Sequence, residues 1–68
     1  MKITRNTGEL APGTVVELPD GEILEIFDYE ERASRYRVFY LEFDGSEFVR
    51  DESLRTIYAH ELIGGVIL

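Results

Sequence analysis

The stretch Arg35-Tyr36-Arg37-Val38-Phe39-Tyr40-Leu41-Glu42-Phe43, followed by Asp44-Gly45, decides the fold. Its large side chains alternate with a period of two, which is the signature of a strand with two different faces. Phe39, Leu41 and Phe43 share one face, and Tyr36, Val38 and Tyr40 share the other. The more apolar set is expected to face the core. Asp-Gly is a favoured hairpin turn because both residues tolerate positive φ. Ser46 to Arg50 is then expected to return as the next strand.

Upstream the pattern is again strand, turn, strand. Ala11-Pro12-Gly13 reads as a turn, and Thr14 to Leu18 as a β-branched first strand. Pro19-Asp20-Gly21 carries the second Asp-Gly signal. Glu22 to Tyr29 follows as a strand, with Leu24 and Ile26 on one face and Ile23, Glu25, Phe27 and Tyr29 on the other. Both faces are partly apolar, so a bend or bulge is expected within it. Glu30 to Ser34 is a polar connection.

Downstream, Asp51 to Leu54 reads as a short turn. Arg55 to Leu62 either extends the fourth strand or forms a helical turn at His60-Glu61-Leu62. Gly64-Gly65 reads as a flexible break, and Val66 to Leu68 as a final strand. Residues 1–10 are expected to be a loose arm or an edge strand through Ile3, and residues 11–68 a single small β-barrel domain. The expected core is Val16, Leu24, Ile26, Phe39, Leu41, Phe43, Val49, Leu54 and Ile57.

Sixty-eight residues support only a thin core. There is no cysteine and one histidine, His60, so neither a disulfide nor a thiolate or histidine-rich metal site can help. No Asp-x-Asp-x-Asp-Gly loop is present, and no cofactor or metal site is expected. His60 and Glu61 are adjacent and point to opposite faces if they lie on a strand. No second histidine or thiol accompanies them, so the chain is not expected to be an enzyme. The longest apolar run, Leu62 to Leu68, is far shorter than the ~20 residues of a membrane span. No apolar run follows Lys2, so no secretory signal is expected. A cytoplasmic location fits the absence of cysteine.

Charge narrows the partner. Fourteen acidic residues stand against seven basic ones, a net charge of −7. Phosphate recognition needs clustered Lys and Arg, so direct nucleic-acid binding is not expected, nor is binding to an anionic membrane. Between Asn6 and Glu31 there are eight acids and no lysine or arginine; Arg32, Arg35 and Arg37 then follow closely.

Five short strands, two Asp-Gly turns and a helical turn before the last strand resemble a Src-homology-3-like small barrel, with a layout similar to Tudor and KOW-type modules. The resemblance covers Gly13 to Leu68 and is one of pattern. It implies an all-β fold that binds ligands through loops and exposed aromatics on an open barrel face. Phe27-Asp28-Tyr29-Glu30-Glu31 resembles the ALYDY segment of eukaryotic Src-homology-3 domains. The chain has no tryptophan and no Pro-Ser-Asn-Tyr stretch, so a proline-peptide groove is not expected. Ser53 to Leu62 is similar to the end of the type II plasmid dihydrofolate reductases at Ile57-Tyr58, which implies shared barrel architecture and not shared activity.

Two readings of function follow. The first is a small acidic protein-binding module acting as adaptor, accessory subunit or inhibitor; the peripheral subunit of photosystem I is a family precedent for a bare barrel that docks. The second is an acidic nucleic-acid mimic that blocks the basic site of a DNA- or RNA-binding protein, as acidic phage antirepressors with this barrel do. The expected contacts are Tyr29, Tyr36 and Tyr40, because tyrosine combines contact area with a polar tip. Glu22, Glu25, Asp28, Glu30 and Glu31 form an expected acidic face. Self-association through the C-terminal strand is the remaining expectation.

Overall fold

The computed structural model describes all 68 residues. Six strands form: β1 (Val15–Glu17), β2 (Ile23–Glu30), β3 (Arg35–Phe43), β4 (Phe48–Arg50), β5 (Arg55–Tyr58) and β6 (Val66–Ile67). Two 3-10 turns, Glu31–Ala33 and Ala59–Leu62, join β2 to β3 and β5 to β6. The second is the helical turn expected before the last strand.

The strands make one antiparallel sheet, ordered β4-β3-β2-β1-β6, with β5 also paired to β3. The sheet is not closed on itself. β3 is its axis. One side of β3 runs along β2, from Ile23↔Leu41 to Glu30↔Arg35. The other side is divided: β4 lies opposite Leu41–Phe43 and β5 opposite Arg35–Val38. Six strands appear in place of the expected five because the chain turns away between β4 and β5. The Asp51 N–H still reaches the Tyr40 carbonyl at 2.9 Å. The Asp51 carboxylate then accepts the Ser53 N–H and folds the backbone off β3.

The hairpin signals hold. Between β3 and β4 the Asp44 carboxylate accepts the N–H groups of Ser46 and Glu47, both at 2.9 Å. Gly45 sits at φ 103°, which only glycine adopts without strain. The expected bulge is present too. Ile26 pairs with Val38 but Asp28 pairs with Arg37, so Phe27 is the extra residue of β2. Before the bulge Leu24 and Ile26 point inward; after it Tyr29 does, packed against the core. Phe27 and Asp28 both end on the outer face.

The core consists of Ile3, Leu10, Val16, Leu18, Leu24, Ile26, Tyr36, Val38, Ile57 and Leu62. Val16, Leu24, Ile26 and Ile57 were expected there. The parity of β3 is the reverse of the expected one. Val38 is fully buried and Tyr36 is 3% exposed, whereas Phe39 and Leu41 are half-buried and Phe43 is 62% exposed. The cause is the cross-strand register. Leu24 and Ile26 face inward, and their partners Tyr40 and Val38 must share that face. Val49 and Leu54, also expected in the core, are exposed because β4 and the turn after it lie beyond the packed region.

The N-terminal residues complete the packed end. Ile3 and Leu10 are buried, so this segment is not a loose arm. Met1, Ile3 and the outer edge of β6 are laced together: the Ile67 N–H donates to the Met1 carbonyl, Ile3 N–H to Gly65, and Gly64 N–H to Ile3. A C-terminal strand free to pair with another copy is therefore not offered; its edge is already occupied. Nor is Gly64-Gly65 a flexible break. A Cβ on Gly65 would meet Val16 Cγ1 and the Leu62 carbonyl oxygen at 3.0 Å, so the chain passes there at glycine distance.

Candidate partner-binding surface

The predicted tyrosines do not form one open face. Tyr36 lies in the core between β2 and the N-terminal arm, and the Leu10 N–H donates to its hydroxyl oxygen at 3.0 Å. Burial raises its pKa above the usual phenol value. Tyr36 is thus a structural residue and not a contact residue. Tyr29 leans on it, with ring centroids 4.6 Å apart. Tyr40 is half-buried against the core, and its pKa is raised by burial and then by nearby Glu22 and Asp20.

Three of the five predicted carboxylates are engaged on the outer face of the sheet. Asp28 grips Arg37 in a bidentate pair, with Arg37 Nε 2.7 Å from Oδ1 and Nη2 on Oδ2. This bond holds the Asp28 carboxyl below the usual carboxylate range. Glu30 takes Arg35 the same way, at 3.2 and 3.3 Å. Glu25 lies 3.7 Å from Arg50. The pairs follow from register: Asp28 faces Arg37 and Glu30 faces Arg35 directly across β2 and β3. The arginine cluster that follows the acidic stretch in sequence therefore neutralises it in space. Glu22 and Glu31 are exposed, and no cation lies within ion-pair distance of either.

The same face carries a set of aromatic residues, two of which, Phe39 and Phe43, were expected in the core. Phe27, from the bulge, meets Phe39 edge to face at 5.5 Å. Arg37 lies over the Phe27 ring at 5.3 Å and Arg50 over Phe39 at 4.6 Å. Further along, Phe43 and Phe48 pair across the β3–β4 hairpin at 5.3 Å. Their positions follow from strand alternation: Phe39, Leu41 and Phe43 share a face, and Phe48 and Arg50 lie opposite Phe43 and Leu41. Phe27, Phe43 and Phe48 are 45%, 62% and 50% exposed. Every residue from Glu42 to Thr56 is exposed, including Val49 and Leu54. Beside this hairpin a shallow groove runs between Glu22, Ile23 and the Phe43–Phe48 pair.

A second depression lies at the other end. It is lined by Tyr29, Tyr58, His60 and the arm around Arg5 and Glu9. Tyr58 and His60 stack there at 5.9 Å. No group of three or more histidine or acidic side chains is placed so that it could hold a metal ion. No helix is long and apolar enough to cross a membrane.

The outer face is chemically a charge-balanced apolar platform. Its arginines are held by carboxylates, and Arg37 and Arg50 lie over rings, so they add contact area more than net charge. The signal for it was present in the alternation of Phe39, Leu41 and Phe43, but alternation does not say which face is wet. No family model, no curated protein and no solved structure matches this chain.

Proposed function

We propose that this chain is a small protein-binding module whose docking surface is the outer face of β2, β3 and β4. The supporting observation is the projecting β3–β4 hairpin, where Phe43 and Phe48 pair and stand exposed on the outer face that also carries exposed Phe27. Contiguous exposed apolar surface of this kind marks sites of association. Aromatic and arginine side chains are the residue types that dominate interface energetics. The scaffold is read as a Src-homology-3-like small barrel. Support for that layout comes from the strand order and from β6, which returns beside β1 directly after a 3-10 turn.

The alternative, an acidic mimic of nucleic acid, needs a row of free carboxylates. Glu25, Asp28 and Glu30 are each held by an arginine, which removes its main support on this face. Affinity capture from the source cell separates the two. Wild-type bait and a Phe43→Ser/Phe48→Ser bait are compared with a Glu22→Lys/Glu31→Lys bait. The expected result is a partner retained by the charge-reversed bait and lost by the phenylalanine variant. The opposite pattern would overturn the docking surface and favour the acidic reading.

A further inference from the structure

We propose that the free edge of β4 accepts an extended segment of the partner protein that carries an aliphatic residue at its centre and a lysine or arginine two positions to either side. This rests on the protein-binding role and names the mode and chemistry of the partner.

The edge follows from the hydrogen-bond phase. The Asp44 N–H donates to the Glu47 carbonyl at 3.0 Å, and the Asp51 N–H to the Tyr40 carbonyl at 2.9 Å. In an antiparallel ladder, hydrogen-bonded pairs recur at every second residue. The pairs are then 44 with 47, 42 with 49 and 40 with 51. Val49 turns its backbone to β3, while Phe48 and Arg50 turn their N–H and C=O groups away from the sheet. No strand pairs with that side of β4.

Other edges offer less. The outer edge of β6 is taken by Met1–Ile3. On β5 the same phase turns Thr56 and Tyr58 outward; the Glu61 carboxylate accepts the Tyr58 N–H at 2.8 Å in a capping box, which leaves Thr56 as a single outward position. Small β proteins blunt their edges in this manner to avoid unwanted pairing. β4 has no such cover.

The side chains specify what would pair. Residues 47, 49 and 51 alternate onto one face, so the edge presents Glu47, Val49 and Asp51 in register, with Glu42 opposite Val49 on the neighbouring strand. An added strand brings its side chains directly opposite these. A second copy of this chain, paired antiparallel about Val49, would set Glu47 against Asp51 at both ends. Those like charges disfavour self-pairing. A segment with the alternation Lys-x-Val-x-Lys converts both repulsions into attractions and still meets Val49 with an aliphatic residue. Strand addition of this type draws affinity from the main chain and specificity from alternate side chains.

The test uses the intact chain and two synthetic peptides, acetyl-Thr-Lys-Thr-Val-Thr-Lys-Thr-amide and its counterpart with both lysines replaced by glutamate. Amide NMR titration to millimolar peptide is read together with hydrogen exchange. The expected result is shift and slowed exchange at the Phe48 and Arg50 amides with the lysine peptide. Binding of the glutamate peptide should be weaker by about tenfold or more, and the difference should shrink with salt. Arg50→Pro removes one outward donor without touching a β3–β4 hydrogen bond and should abolish the response, whereas Arg50→Ala, which loses the same contacts to Glu25 and Phe39 but keeps the donor, should retain it; Glu47→Lys should weaken it while leaving the backbone intact. Absence of protection at Phe48 and Arg50 with the lysine peptide overturns the proposal. So does protection of the same amides on raising the concentration of the protein alone, which would assign the edge to a second copy. If Phe43→Ser/Phe48→Ser loses the captured partner while Arg50→Pro keeps it, the docking face stands and the strand-addition mode fails.

Discussion

The two ends of β3 face opposite circumstances. At Arg35–Val38 the strand is covered by β2, β5 and the N-terminal arm, and its inward residues Tyr36 and Val38 are buried. At Leu41–Phe43 it is paired with β2 only through Leu41 and with the short β4; Leu41 is partly buried, and Glu42 and Phe43 stand in solvent. A nine-residue strand reaches about 30 Å, and the molecule measures 35 × 23 × 18 Å. A core of ten residues cannot cover that length. One end is therefore built for packing, and the other is left as an apolar projection. The difference teaches that apolar content and burial are separable along a single strand.

The largest effect should come from the packed end. Leu24 is fully buried against Val16 and Val38 as part of the core cluster. Leu24→Ala is expected to cost about 2–5 kcal/mol by lost transfer energy plus a cavity. In a domain this small that is a large share of the total. Phe39→Ala should cost clearly less, since Phe39 is half-buried on the outer face. Thermal or urea melting that ranks Phe39→Ala above Leu24→Ala would restore the reversed parity and break the comparison.

How much of this was legible in the sequence can be seen in β3 itself. Its bounds, its alternation and the Asp44-Gly45 turn were readable because they depend on local chemistry alone. The 3-10 turn before β6 and the bulge in β2 were readable for the same reason; the bulge followed from apolar residues on both faces, Leu24 and Ile26 on one and Ile23, Phe27 and Tyr29 on the other. The wet face was not readable. Tyr36 and Val38 look less apolar than Phe39 and Leu41, yet they win the interior because Ile26 lies opposite Val38 and because Leu10 brings its N–H to the Tyr36 hydroxyl. Both are long-range facts. The candidate site was missed for that reason: Phe39 and Phe43 were placed on the wrong side, and Phe27 and Phe48 were given no role in binding. The acid–arginine pairs were equally hidden, since the acids precede the arginines in sequence and meet them only through register.

A smaller effect tests that long-range bond. Tyr36→Phe keeps the ring and removes the hydroxyl, which leaves the buried Leu10 N–H without its acceptor. The cost should be about 1–2 kcal/mol. Unchanged proteolysis and unchanged melting would show that the arm is held by Ile3 and Leu10 packing alone. The arm's amides should lose exchange protection before those of β2 and β3.

Titration sharpens the contrast from both directions. Burial raises the folded-state pKa of Tyr36 and Tyr40 above the usual value of about 10. The folded state thus holds these protons more tightly than the unfolded chain. That stability is fully present below pH ~10 and is lost as pH rises through the folded values. Asp28 behaves oppositely: Arg37 lowers its pKa, so its contribution is present above the usual carboxylate value of about 3.9 and is lost as pH falls through the folded value. Asp44 is lowered as well, by the N–H groups of Glu47 and Ser46 in the hairpin turn. Alkali should therefore attack the packed end and acid the outer face and the hairpin. Exchange protection followed at both extremes of pH checks this, and loss of the core amides first in acid would contradict it.

The smallest effect on stability is the most informative. Phe43 and Phe48 touch each other and project into solvent beyond the core. Their mutual contact is worth about 0.5–1.5 kcal/mol as an aromatic pair at most, and exposure reduces that. Surface changes away from buried features usually alter stability by no more than ~0.5 kcal/mol. Phe43→Ser/Phe48→Ser should therefore melt within a degree or two of the wild type, and its β2–β3–β5 amides should be unmoved. Two large aromatic residues that contribute so little to the fold need another reason to stand in the open, and binding supplies one. A large drop in melting temperature would mean that the hairpin folds back on the sheet and buries its rings. In that case the exposed platform would vanish, and the docking surface with it.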